Sequence, residues 1–159
     1  MKTNTGFTLI ELLVTVTIAG ILLTLAVPSF NETIRNNRLT TQANDLVSTF
    51  NLARSEAIKR RTNVQVCTSN NQAACTNTPW TQGWIVLDQN NNLIRVFGPM
   101  RGNINIGAGA PNTITYNQFG LLAGAGVTLR LCAGAAKPGR TIEVTATGRP
   151  ANLNPFPLC

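Results

Sequence analysis

The chain has 159 residues, with 13 basic and 6 acidic side chains and no histidine, for a net charge of +7. That length holds one domain plus a long N-terminal segment. The lack of histidine excludes Ser–His–Asp and Cys–His nucleophilic sites. Charged residues make up only 12% and apolar residues 43%, so a packed core is within reach and disorder is excluded; the Asn- and Thr-rich remainder suits an extracellular surface.

Residues 7–27 read FTLIELLVTVTIAGILLTLAV and stop before Pro28. As a helix this run covers about 30 Å, the thickness of bilayer hydrocarbon. Lys2 and the chain amine place positive charge on the cytoplasmic side, so the rest of the chain is expected across the membrane. An ordinary secretory signal would carry a small-x-small site after the run; here Gly6 stands immediately before it. Glu11 is the one charge in the span, and a carboxylate in hydrocarbon is costly enough to imply a function. A cut after Gly6 would free an ammonium on Phe7. In an assembly of parallel helices that ammonium would meet Glu11 of a neighbour, neutralising two costly charges and favouring one axial register.

The residues GFTLIELL, positions 6–13, resemble the class III signal of type IV pilins and type II secretion pseudopilins. The resemblance implies that a prepilin peptidase cuts between Gly6 and Phe7 and methylates Phe7, and that Glu11 serves assembly. Pro28 also falls where that family often carries proline. The implied plan is a leader at 1–6, a transmembrane and assembly helix at 7–28, and a periplasmic globular domain at 29–159.

Beyond Pro28 the helix is predicted to continue to about residue 61. Leu39, Ala43, Leu46, Phe50, Ala53 and Ala57 fall at steps of four and three, one face of a helix. Glu56 precedes Lys59 and Arg60 at favourable helical spacing, and Lys59-Arg60-Arg61 suits the negative end of the helix dipole. Pro28 is expected to kink or loosen the helix. The pattern then changes to period two. Val64 and Val66 alternate with polar residues, and residues 83–87 and 93–97 flank Asp88-Gln-Asn-Asn-Asn92 as a hairpin. Thr113–Tyr116, Val127–Leu131 and Ile142–Ala146 complete about six antiparallel strands. The Gly-rich stretches 98–112 and 119–126 read as loops or edges. The fold class is α+β: one long N-terminal helix, its first half in the membrane, packed on an antiparallel sheet.

Four cysteines, Cys67, Cys75, Cys132 and Cys159, allow three pairings and imply an oxidising compartment. We favour Cys67–Cys75 and Cys132–Cys159, since each pair brackets a Pro-, Asn- or Gly-rich stretch. Loop entropy gives them about 2.6 and 3.6 kcal/mol. A zinc site would need all four thiolates at irregular spacing, so no metal is expected, and no cofactor either. The acids are scattered and no phosphate-binding loop occurs, so the chain is not expected to be an enzyme. Trp80 and Trp84 are expected in the core and not as base-stacking surfaces.

Several blocks in order, namely Leu52–Ile58, Val64 with Cys67, Gly83–Val86, Asn117–Gly120, Leu131-Cys132 and Thr147-Gly148-Arg149, resemble the GspH/FimT family. That family includes minor pilins FimT and FimU and the minor pseudopilin GspH. It implies a low-abundance subunit that helps initiate or cap a type IV pilus; the alternative is a minor pseudopilin of type II secretion. The implied partners are other pilins or pseudopilins, prepilin peptidase and the inner-membrane assembly platform, and the implied location is the inner membrane and then the filament. Some relatives bind DNA through a C-terminal Gly-Arg motif. On that model Arg130, Lys137, Arg140 and Arg149 are the candidate DNA-binding residues, although no second basic residue follows Gly148-Arg149 here.

Overall fold

A computed structural model of the chain describes residues 8–107, 109–156 and 159; of Leu25, Pro28, Asn154, Pro155 and Phe156 it describes the backbone alone. The predicted cleavage site, Gly6 and Phe7, lies outside the described residues. The chain divides into two units, residues 1–36 and 37–159.

Helix α1 runs Leu9–Arg60 and passes through Pro28 without ending. Thr8 caps it: its hydroxyl accepts the Glu11 backbone N–H at 3.4 Å, and Glu11 stands three residues on, the spacing of a capping box. At the other end Arg61 takes a left-handed conformation, φ 53°. Its N–H bonds the Ile58 carbonyl at 3.3 Å, and the Thr62 N–H bonds the Ala57 carbonyl at 3.3 Å. This paired closure satisfies carbonyls the helix end would otherwise strand, with arginine where glycine is usual.

In the second unit the strands are β1 Val64–Thr68, β2 Trp84–Asp88, β3 Leu93–Phe97, β4 Asn105–Ile106, β5 Thr113–Tyr116, β6 Val127–Cys132, β7 Gly139–Val144 and β8 Pro150–Phe156. They form two four-stranded antiparallel sheets, ordered β3-β2-β1-β5 and β4-β6-β7-β8. A bridge between Tyr116 and Leu122 and a bond from Leu122 N–H to the Ala146 carbonyl (3.1 Å) stitch the sheets together. Among the described residues the strands number eight, two more than the six expected. β4 is a two-residue edge inside the Gly-rich stretch 98–112. β8, PANLNPF, has no alternation to betray it, and its two prolines suit an edge strand. Ala146 also lies past the end of β7, exposed in the following turn.

The predicted helix face is the core. Leu39, Ala43, Leu46, Phe50, Ala53 and Ala57 are buried against Val64, Val66, Trp84 and Val86 of the first sheet and Leu129, Leu131, Ile142 and Val144 of the second. Trp80, in a short 3-10 turn, and Trp84 are both buried, with Phe50 and Phe97 against them at ring separations of 5.3–6.3 Å. The Trp84 indole donates to Thr49 Oγ1 and that of Trp80 to the Pro111 carbonyl, each at 3.0 Å, so neither polar tip is stranded. β2 is buried on both faces: Ile85 and Leu87 join Cys67 in a smaller cluster on the side of the sheet away from the helix. This explains the unbroken apolar run Trp84–Leu87.

Candidate assembly helix and basic surface

In the first unit the large apolar side chains from Leu9 to Val27 are exposed on every side of α1 wherever they are described. An 18-residue window of this helix has a mean hydropathy of 2.4 and none of it is buried. A helix apolar all round is stable only in lipid or among other protein helices. Its hydroxyls fit such surroundings: Thr15, Thr17 and Thr24 donate to the carbonyls of Leu12, Leu13 and Ile21 at 2.7–2.9 Å. Each is thereby satisfied within the helix and asks nothing of the surroundings. Glu11 stands exposed in the first turn, where its charge complements the helix dipole.

The second unit fixes the four cysteines as Cys67–Cys75 and Cys132–Cys159. The second bridge joins the chain's last residue to β6. Backbone bonds from Ala136 N–H to the Cys159 carbonyl and from Cys159 N–H to the Lys137 carbonyl, both 3.1 Å, hold it there. Gly139 leaves the room: a Cβ at that position would stand 2.7 Å from Cys159 Sγ. All four thiols are thus consumed, which removes them as metal ligands.

The candidate basic residues separate into two places. Arg130 pairs with Thr141 and Leu131 with Arg140, so Arg130 faces outward while Arg140 lies on the helix side and reaches within 3.5 Å of Thr40 Oγ1. Lys137 is exposed in the turn before β7. Arg149 is exposed in the turn after β7, at the opposite end of that strand, about 17 Å along it. The structure therefore brings Arg130, Lys137 and Arg140 to one end of the second sheet and leaves Arg149 at the other. Both tryptophans are in the core, which removes them as stacking surfaces.

At Arg149's end, blocks scattered in sequence meet. Arg54 Nε donates to the Gly120 carbonyl at 3.1 Å. Gly148, at φ 77°, packs on that same carbonyl and on the Tyr116 ring. Burial pushes the Tyr116 hydroxyl well above the usual phenol range, and the nearby Arg54 charge offsets this only in part. Beside this knot, Arg60 bonds Glu56 at 2.6 Å and approaches Asp88 at 3.5 Å. The Arg60 bond, aided by Lys59, holds Glu56 below the ordinary carboxylate range; bonds from Asn92 and Asn90 do the same for Asp88. Sequence reasoning passed over Arg54 as a positioned residue, because its partner lies 66 residues away.

A family described as Type II transport protein GspH matches residues 42–148. The chain belongs to the GspH family. That match covers the end of α1 from Gln42 onward, strands β1 to β7 and the Arg54–Gly120–Gly148 knot. The prokaryotic N-terminal methylation motif matches residues 1–27. Two crystal structures of the Pseudomonas aeruginosa type IV minor pilin FimU resemble the GspH-family chain in fold. One aligns at TM-score 0.61 and 20% identity over 73% of this chain and 88% of that one. The other, a second crystal form, aligns at 0.58 and 19% over 72% and 92%. No curated protein matches in sequence. The methylation motif and the apolar helix together mark a membrane-anchored, pilin-like protein of a structural rather than catalytic family.

Proposed function

We propose that the chain is a minor pilin, a low-abundance subunit that helps initiate or cap a type IV pilus. The observation that carries this reading is the helix Leu9–Val27, apolar on all sides, self-satisfied in its hydroxyls and joined to a GspH domain. Prepilin peptidase would cut between Gly6 and Phe7 and methylate Phe7. The helix would then leave the bilayer through the inner-membrane assembly platform and bury its surface among the helices of other pilins. Glu11 would pair with the Phe7 ammonium of a neighbour. Catalysis has no part in this role.

A second reading, a minor pseudopilin of a type II secretion system, is favoured by the description of the matched family. The two share their physics and differ in the machine served. Deleting the gene separates them. Loss of surface filaments with secretion intact supports the pilus; loss of secretion with filaments intact supports the pseudopilus; no change in either contradicts both.

A further inference from the structure

Four cations, Arg38, Arg101, Lys137 and Arg140, share one end of the globular unit, the end at which the helix enters it. A Cβ built on Gly102 would lie 3.3 Å from Arg38 Cδ, so that loop rests on the Arg38 side chain. Arg101 lines a shallow groove of about 430 Å³ with Thr41, Gln42 and Asp45. Arg140 reaches Thr40, and Lys137 stands in the adjoining turn. Arg38, Arg101 and Lys137 are exposed. The unit's four acids do not balance them. Glu56 and Asp88 are engaged with Lys59 and Arg60 at the opposite end, Glu143 lies further along β7, and Asp45 alone shares this end.

The chain order says what this surface meets. Arg38 follows Val27, the last residue of the apolar run, by eleven residues. Whatever the unit's orientation, this end is tethered within reach of the bilayer surface. A cation as close behind a membrane span on its far side as Arg38 works against the positive-inside rule, so its presence there calls for a separate role. Arg and Lys near an anionic leaflet each gain from its phosphates. We propose that, in the membrane-inserted precursor, Arg38, Arg101, Lys137 and Arg140 form a basic collar. The collar binds the phosphates of anionic phospholipid headgroups and seats the globular unit on the bilayer until the helix is extracted into the filament. This rests on the reading of residues 7–27 as a membrane span.

The test uses the full chain in nanodiscs of phosphatidylcholine, with or without phosphatidylglycerol, and follows amide hydrogen exchange of residues 98–107 and 133–140. In phosphatidylglycerol these segments should exchange more slowly, by roughly fivefold or more, since each cation near the surface contributes a bias of about that size. High salt should erase the difference. The triple variant Arg38→Gln, Arg101→Gln, Lys137→Gln should lose it, while Lys59→Gln at the opposite end keeps it. Equal exchange in the two lipids, with the apolar run protected, overturns the collar and leaves the membrane span standing. An unprotected apolar run overturns both. Protection of the same segments by a DNA oligonucleotide in phosphatidylcholine discs, with none from phosphatidylglycerol, overturns the lipid assignment in favour of nucleic acid.

Discussion

Arg54 and Gly120 stand 66 residues apart in sequence, yet the Arg54 guanidinium donates from Nε to the Gly120 carbonyl at 3.1 Å. Through this bond the end of the helix holds the turn after β5, and Gly148 in the turn after β7 closes on the same carbonyl. One arginine thus ties the helix to both sheets. A charge-assisted bond of this kind contributes about 1.5–3 kcal/mol. Arg54→Ala should lower stability by that amount and Arg54→Lys by part of it. Urea unfolding of the detergent-solubilised chain, followed through the buried Trp80 and Trp84, measures the difference.

Gly148→Ala should be more damaging. The position lies at φ 77°, and an added Cβ would collide with the Gly120 carbonyl and press on Tyr116 Cε1 at 3.0 Å. Strain and overpacking together predict a loss of about 2–4 kcal/mol. Gly124→Ala, where a Cβ meets open space, serves as the comparison and should change stability by less than about 1 kcal/mol. The same unfolding curves read both.

Tyr116 is the chain's single tyrosine, so phenolate absorbance reports on it alone. Its folded pKa is raised by burial, so the neutral form is favoured by folding. The stability this contributes is complete below the unfolded value of about 10 and is lost as pH rises beyond it. Ionisation should therefore lag behind that of free tyrosine and coincide with alkaline unfolding. Tyr116→Phe should soften the alkaline loss of stability. A titration curve like that of free tyrosine in the folded protein would contradict the burial.

The carboxylates at the helix end give the opposite slope. Glu56 and Asp88 have folded pKa values below their ordinary ones, so their contribution is present above about pH 4.5 and is lost as pH falls through the folded values. Asp88→Asn should flatten the acid limb of stability against pH, because the Asn90, Asn92 and Arg60 donors then no longer favour a charged partner.

The periodic parts of the fold were legible in the sequence. The four-and-three spacing from Leu39 to Ala57 named the buried helix face residue by residue, and alternation located β1 and β6. The disulfides followed from the loops they close. β8 was not legible because an edge strand held by one neighbour and a terminal bridge needs no alternation and tolerates proline. The split of the strands into two sheets was hidden too, since pairing partners are a matter of long-range contact. For the same reason the nearness of Arg140 in sequence to Arg149 concealed their placement at opposite ends of β7. The cations that do share Arg140's end include Arg38, from the far upstream helix.

Cleavage after Gly6 and entry into a filament through the apolar helix make up the proposed course of this chain. The most direct measurement is the intact mass and N-terminal sequence of the protein recovered from the membrane and from sheared surface filaments of its native cells. The recovered chain should begin at N-methylated Phe7, lack residues 1–6, and be present in the filament fraction. A chain that keeps residues 1–6, or one cut after residue 27 so that the helix is lost, would contradict it.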